Sequence, residues 1–297
     1  MAAANTSQIY HAPGGRCRVS GRTSSQFLSA LLLASPLLAS TQPLVIEIVD
    51  ELISQPYVQL TIDLMAKFGV SVDVAPGYRR FTVAGGQRYT NAGLPAATYF
   101  VEGDASSASY FLAAAAMTGG ALTVVGCGAD STQGDVRFAE VLASMGAPVT
   151  MHPTNISVAA VDAVDLKGVD VDCLDIPDAA MTLAAVALVA DGPTTIRNVG
   201  SWRVKETERM KAIVAETTKL GADVYEGDTH CVITPPKGNA PTPNAEIETY
   251  DDHRIAMTFA LAACAGVPVT ILDPKCTSKT FPTYFDELAR VTAAASS

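Results

Sequence analysis

The sequence predicts an α/β protein of the α+β type, assembled from repeated βαβαββ modules. Three observations carry that prediction. An Ala-rich segment of helical character recurs four times, as SSQFLSALLLASPLL from Ser24, ASSASYFLAAAAMTGG from Ala105, PDAAMTLAAVALVADG from Pro177 and DDHRIAMTFALAACAG from Asp251. A second, amphipathic segment recurs as IDLMAKFGVSVDV, AEVLASMGAPVTM and AETTKLGADVYEG. Short stretches rich in Val, Ile and Thr follow these segments. Self-similarity of this kind marks a repeated supersecondary unit.

Each Ala-rich copy opens on polar or capping residues and continues with apolar residues at helical spacing. Three copies then meet a Gly, the usual stop. The stretches LVIEIVD, ALTVVGCG, TTIRNVG and PVTILDP read as the strands that follow. The amphipathic segments read as second helices closed by Gly69, Gly146 or Gly221, each running into an alternating strand. FTVAG, ISVAA and CVITPP then close the module as a further strand. With a preceding strand added, the unit is βαβαββ. Three modules are full. The fourth ends after FPTYFDELARV without a closing hairpin, so either the chain is permuted or a strand comes from elsewhere.

Composition narrows the function. Nearly half of the residues are apolar and 17% are charged, enough for a buried core. The net charge of -10 and the lack of any run of five Lys/Arg argue against a nucleic-acid partner. Six cysteines without a CxxC pair, and only four His, argue against zinc or a disulfide framework and for reduced thiols. The apolar stretch 27–38 is too short to span a bilayer, and residues 1–12 read as a ragged lead-in rather than a signal segment. An acidic protein that binds anions must gather its few basic residues at one site, and the polar first turns of the Ala-rich helices are suited to help.

Several segments hold candidate groups, each with a plain structural alternative. In WRVKETER a helix would place Lys205 and Arg209 at i and i+4, and Glu206 and Arg209 at i and i+3; the alternative is a solvated charged face. Asp178, after Ile176 and Pro177, is placed to cap a helix. Arg254 in YDDHR has two acids beside it, which favours an ion pair, and His253 is a proton-transfer group or a structural one. Lys279 in CTSKTFP reads on its own as a solvated loop lysine. Ser24, Ser25 and Gln26 sit where a helix is capped.

The segments VEGDASSASYF, IPDAAMT, SWRVKETERM, YDDHR and DPKCTSKTFP resemble the enolpyruvyl transferase family, from about Pro13 to the C-terminus. Within it they are more similar to the 5-enolpyruvylshikimate-3-phosphate synthase branch than to the UDP-N-acetylglucosamine branch. The resemblance implies lobes built as inside-out α/β barrels. It implies a remnant of the N-terminal lobe at 13–100, most of the C-terminal lobe at 101–297 and a hinge near 100–104. It also implies that a family portion holding a Lys-Ser phosphate motif and a Gly-rich segment has no counterpart here. The C-terminal lobe would normally take its first strand from that portion, which accounts for the missing strand.

The reaction so implied transfers the enolpyruvyl group of phosphoenolpyruvate to the 5-hydroxyl of shikimate 3-phosphate and releases phosphate, with no metal or organic cofactor. Asp178 would take the hydroxyl proton. Glu206 would lie near the carbon that gains and loses a proton, and Lys205 near the reacting hydroxyl. Arg209, Arg254 and Lys279 would bind phosphoenolpyruvate and its leaving phosphate. Ser24, Ser25, Ser54 and Tyr57 would hold shikimate 3-phosphate, with Gln26 touching both substrates; Tyr57 equally suits a buried aromatic. Ser201 stands where some relatives have Asn, and Arg22 where relatives often have a small residue, so the role of Arg22 stays open. The alternative is an inactive or partner-dependent chain that only binds shikimate 3-phosphate, with an exposed half-lobe inviting self-association. The compartment implied is the cytoplasm, or else the plastid stroma.

Overall fold

The computed structural model describes residues 10–12, 15–22, 24–39 and 42–294. The chain divides into two compact units, Met1–Val101 and Glu102–Ser297. Each has its own apolar core.

The first unit is one complete module. Its elements are β1 (Tyr10–Ala12), β2 (Arg16–Val19), α1 (Gln26–Leu38), β3 (Leu44–Ile48), α2 (Gln55–Lys67), β4 (Asp73–Val74) and β5 (Arg80–Val83). The sheet order is β1-β2-β3-β5-β4. β2 and β3 run parallel, as a crossover through a helix requires, and β5 pairs antiparallel with both β3 and β4. Burial alternates along β2, β3 and β5, so one face of the sheet is apolar. Cys17, Val19, Ile46, Ile48, Phe81 and Val83 meet Leu28, Leu32, Val58 and Met65 of the two helices there. β1 falls within the segment expected as a ragged lead-in; the rest of that segment, 1–9, lies outside the described residues.

The second unit holds three modules. The first consists of α3 (Ala105–Thr118), β6 (Leu122–Val125), α4 (Phe138–Ser144), β7 (Val149–Met151) and β8 (Asn155–Val158). The second consists of β9 (Asp170–Asp172), α5 (Ala180–Ala187), β10 (Thr194–Arg197), α6 (Arg209–Lys219), β11 (Asp223–Glu226) and β12 (Cys231–Thr234). The third consists of β13 (Ala245–Ile247), α7 (His253–Ala260), β14 (Val269–Ile271) and α8 (Tyr284–Ala294). Their sheets are ordered β6-β8-β7, β11-β12-β10-β9 and β13-β14. β9 is parallel to β10 and β13 to β14.

In this unit the Ala-rich helices α3, α5 and α7 lie inside and the strands outside. All eight residues of α5 are buried, whereas β9 and β11 are largely exposed. Small side chains let the buried helices α3, α5 and α7 approach closely. A hydroxyl pair of 2.7 Å between Ser109 and Thr182 ties α3 to α5 without leaving either polar group bare. The helix stops expected at Gly69, Gly146 and Gly221 have φ values of 83, 104 and 90°, left-handed backbone that a Cβ would strain.

The first module of this unit has no strand paired to the outer edge of β6 among the described residues. An open groove of about 380 Å³ follows that edge, lined by Phe111, Val124, Val125, Phe281, Arg290 and Val291. No helix of the described residues is long and apolar enough to cross a membrane.

Candidate active site

Arg209, the first residue of α6, organises the second unit's polar centre. Its side chain is 1% exposed, yet it bears a charge, so its N–H groups must all find acceptors. Nε donates to Asp252 at 2.7 Å, Nη1 to Asp178 at 3.0 Å, and Nη2 to Glu206 at 2.6 Å. Three carboxylates from three different segments thus converge on one guanidinium. Two further cations share them. Arg254 Nη2 donates to the other oxygen of Asp178 at 3.1 Å, and Lys279 Nζ to the other oxygen of Glu206 at 2.6 Å. Lys205 adds its field at Asp178.

Local folding explains each placement. Asp178 lies in the turn before α5, where Trp202, wholly buried, donates its indole N–H to Pro177 O at 2.6 Å and pins the turn. Asp178 does not cap α5; both its oxygens serve the two arginines instead. Asp252 caps α7, accepting the Arg254 N–H at 2.9 Å. Its own side chain is fully buried and faces Arg209.

The helical reading of WRVKETER is corrected. Residues Gly200–Val204 form a 3-10 turn, Lys205 has φ and ψ of -92 and -148°, and α6 begins only at Arg209. Arg203, within the break, donates to Glu208 and to the carbonyls of Gly227 and Asp228, and pairs with Glu226. Glu208, held there, caps α6 through the Lys211 N–H at 2.9 Å. Lys205 and Arg209 therefore share no helical face, and Glu206 reaches Arg209 across a loop. Ser201 is half-buried in the 3-10 turn.

The electrostatics follow from this geometry. Burial acts to raise the Asp178 pKa, but Arg254, Arg209 and Lys205 outweigh it, and the carboxyl is held below its ordinary value. Burial likewise opposes ionisation of Glu206, and the Lys279 bond and the Arg209 charge overcome it, bringing the pKa to about 2. His253 is lowered to about 4, by burial first and then by Arg254, so its imidazole is neutral at neutral pH. Behind Arg254 stands Tyr110, fully buried, whose phenol burial raises to about 12 against the pull of Arg254.

The first unit gathers a second group. Ser24 Oγ accepts the Gln26 N–H at 3.1 Å, while Ser25, at the N-cap position of α1, makes no capping bond with its side chain. Ser54 precedes α2 in left-handed backbone, φ 53°, and Tyr57 lies in the first turn of that helix. A hydroxyl pair of 2.8 Å between Ser29 and Thr61 joins the two helices near these starts. Arg22 is exposed.

Sequence reasoning brought Asp178, Glu206, Arg209, Arg254 and Lys279 to the same cluster. It missed Asp252 as the principal partner of Arg209, and missed Tyr110. The signal for Asp252 was present, since Asp before His-Arg at a helix start is a capping pattern. Nothing in the spacing singles out Tyr110.

Buried helices inside outer sheets, with cations gathered against the starts of α6 and α7, define the chain's class: it has the fold of the enolpyruvyl transferases. An EPSP synthase from Acinetobacter baumannii matches 96% of this chain and 67% of its own, with TM-score 0.71 at 22% identity. The enolpyruvyl transferase NikO from Streptomyces tendae covers 88% of this chain and 57% of its own, with TM-score 0.59 at 18% identity. The chain belongs to the EPSP synthase (3-phosphoshikimate 1-carboxyvinyltransferase) family, whose model matches residues 3–288. It is 56% identical over 285 residues to the chloroplastic 3-phosphoshikimate 1-carboxyvinyltransferase of Arabidopsis thaliana, spanning 94% of this chain and 53% of that protein. It is 53% identical over 282 residues to the Klebsiella pneumoniae enzyme of that name, spanning 95% of this chain and 63% of that protein. The chain thus spans about half the length of the plant relative.

Proposed function

We propose that the chain takes part in transfer of the enolpyruvyl group from phosphoenolpyruvate to the 5-hydroxyl of shikimate 3-phosphate. The observation that carries this reading is the concentration of Lys205, Arg209, Arg254 and Lys279 around three carboxylates in a protein of net charge -10. Preorganised cations aimed at one place, Arg209 and Arg254 buried and Lys279 half-exposed, favour charge that develops there during a reaction.

In this reading an incoming anion exchanges for the carboxylates. Phosphoenolpyruvate takes Arg254 and Lys279 and leans on Arg209. Asp178, freed from Arg254, accepts the proton of the attacking hydroxyl. Glu206, freed from Lys279, handles the proton at carbon 3, and Lys279 follows the leaving phosphate. Lys205 and Ser201 orient the shikimate side. In the first unit Ser24, Ser25, Gln26, Ser54 and Tyr57, at the starts of α1 and α2, hold shikimate 3-phosphate. Helix starts supply N–H donors for its phosphate.

A second reading draws on the open outer edge of β6: the chain binds shikimate 3-phosphate and reacts only when another polypeptide completes that sheet. Self-association belongs to it, because Phe27, Leu33, Leu37 and Leu38 of α1 stand exposed. For compartment, the cytoplasm or the plastid stroma suits six free cysteines, and the Arabidopsis relative is named chloroplastic.

The deciding assay is phosphate release by the purified chain given both substrates, beside Arg254→Ala and Lys279→Ala. Release lost in both variants supports the transferase reading. No release, with shikimate 3-phosphate bound, supports the partner-dependent one.

A further inference from the structure

We propose that Glu216 is a positioning residue: it holds a strained turn ahead of α7 and thereby sets Asp252 against Arg209 and Arg254. The proposal rests on the reading of that cluster as the site for the substrate anion.

Glu216 lies two turns after Arg209 on α6, so the two side chains leave the same face of the helix. Its side chain is 0% exposed. A buried carboxylate needs donors, and three are present. The Tyr250 hydroxyl donates to Oε1 at 2.7 Å, the Glu248 N–H donates to Oε2 at 3.1 Å, and Lys219 Nζ donates to Oε2 at 2.8 Å. Two of the three come from the segment that leads into α7.

That segment is strained. Tyr250 and Asp251 are consecutive non-glycine residues with φ of 54 and 55°. Such backbone persists only where the surroundings hold it. The turn closes with the Asp252 N–H on Thr249 O at 2.8 Å, and the next side chain, Asp252, caps α7 and takes two donors of Arg209. α6 therefore grips the segment at both ends, through Glu216 at Glu248 and Tyr250 and through Arg209 at Asp252. Tyr250 is 37% exposed, and its hydroxyl bond to Glu216 is the polar tie that anchors it to α6. A plain ion pair between Glu216 and Lys219 would leave the turn indifferent to Tyr250.

The experiment uses the full ¹⁵N-labelled chain with Tyr250→Phe, Glu216→Gln and Lys219→Met. The signals are the Arg209 Nε–H, the Arg254 amide and, as a check on the fold, the indole N–H of Trp202. Tyr250→Phe and Glu216→Gln are expected to displace the two arginine signals, to leave Trp202 in place, and to weaken phosphoenolpyruvate binding about tenfold. Lys219→Met is expected to move neither arginine. Unmoved arginine signals in Tyr250→Phe overturn the proposal, and this variant decides alone if Glu216→Gln fails to fold. If the unsubstituted chain binds no phosphoenolpyruvate, the anion-site reading falls, while the arginine signals still decide the role of Glu216.

Discussion

Replacing Arg209 by Ala removes the one group that three carboxylates share. Asp252 has no exposure at all, and Asp178 keeps 19% of its side-chain surface. Loss of the guanidinium leaves the buried Asp252 carboxylate with the Arg254 N–H at 2.9 Å and with His253, held neutral, nearby. Breaking a buried pair from one side costs about 3–5 kcal/mol. For a unit of this size, that lowers the melting temperature by roughly 10 °C. The pH dependence sharpens the test. Asp178 and Glu206 have folded pKa values below their unfolded ones, so their stabilisation is fully present above the unfolded values near 4 and is lost as pH falls through the folded ones, about 2 for Glu206. In Arg209→Ala, Asp178 and Glu206 lose the charge that lowers them and bind protons more readily. The deficit relative to the parent is therefore largest near neutral pH and shrinks as pH falls to about 4. Urea unfolding followed by Trp202 fluorescence, from about pH 4 to pH 8, measures it. A deficit below about 1 kcal/mol, equal at every pH, refutes the view that this network is tied together at Arg209.

Three further outcomes follow from the same structure. Phosphoenolpyruvate binding should take up protons near pH 5, because Glu206 and Asp178 lose Lys279 and Arg254 and rise from their lowered pKa values; calorimetry in two buffers of different ionisation heat checks this, and buffer-independent heats count against it. Trp202→Phe should cost about 2–3 kcal/mol, from the lost bond to Pro177 O and the volume left in a core site, read by urea unfolding. Leu37→Gln, on the exposed face of α1, should raise the monomer fraction in light scattering; unchanged association would place the contact elsewhere.

The repeat was legible because it rests on local signals. Helix starts, glycine stops and period-two strands are written in neighbouring residues, so α1 to α7 and the closing strands β5, β8 and β12 stand where the pattern puts them. The site was legible only in part. Where a helix is expected at Lys205, Arg203 instead engages acceptors in the distant β11–β12 hairpin region, which spacing cannot reveal. Asp178 reads as a cap until its partners, 31 and 76 residues away, are known. Glu216 looks like one more surface glutamate on an amphipathic helix until Tyr250 is seen beside it.

The order of strands bears on synthesis. In each full module the last strand made is not an outer strand: β5 lies between β3 and β4, β8 between β6 and β7, and β12 between β10 and β11. A nascent chain that has emerged only as far as β7 or β11 has two strands with no bridge between them. Each sheet closes in one step, when its final strand threads into the waiting gap. A ribosome paused while Val158 or Thr234 still lies within its exit tunnel would thus hold out two ribbons still lacking their middle, and a chaperone that binds extended apolar segments would find them at that moment.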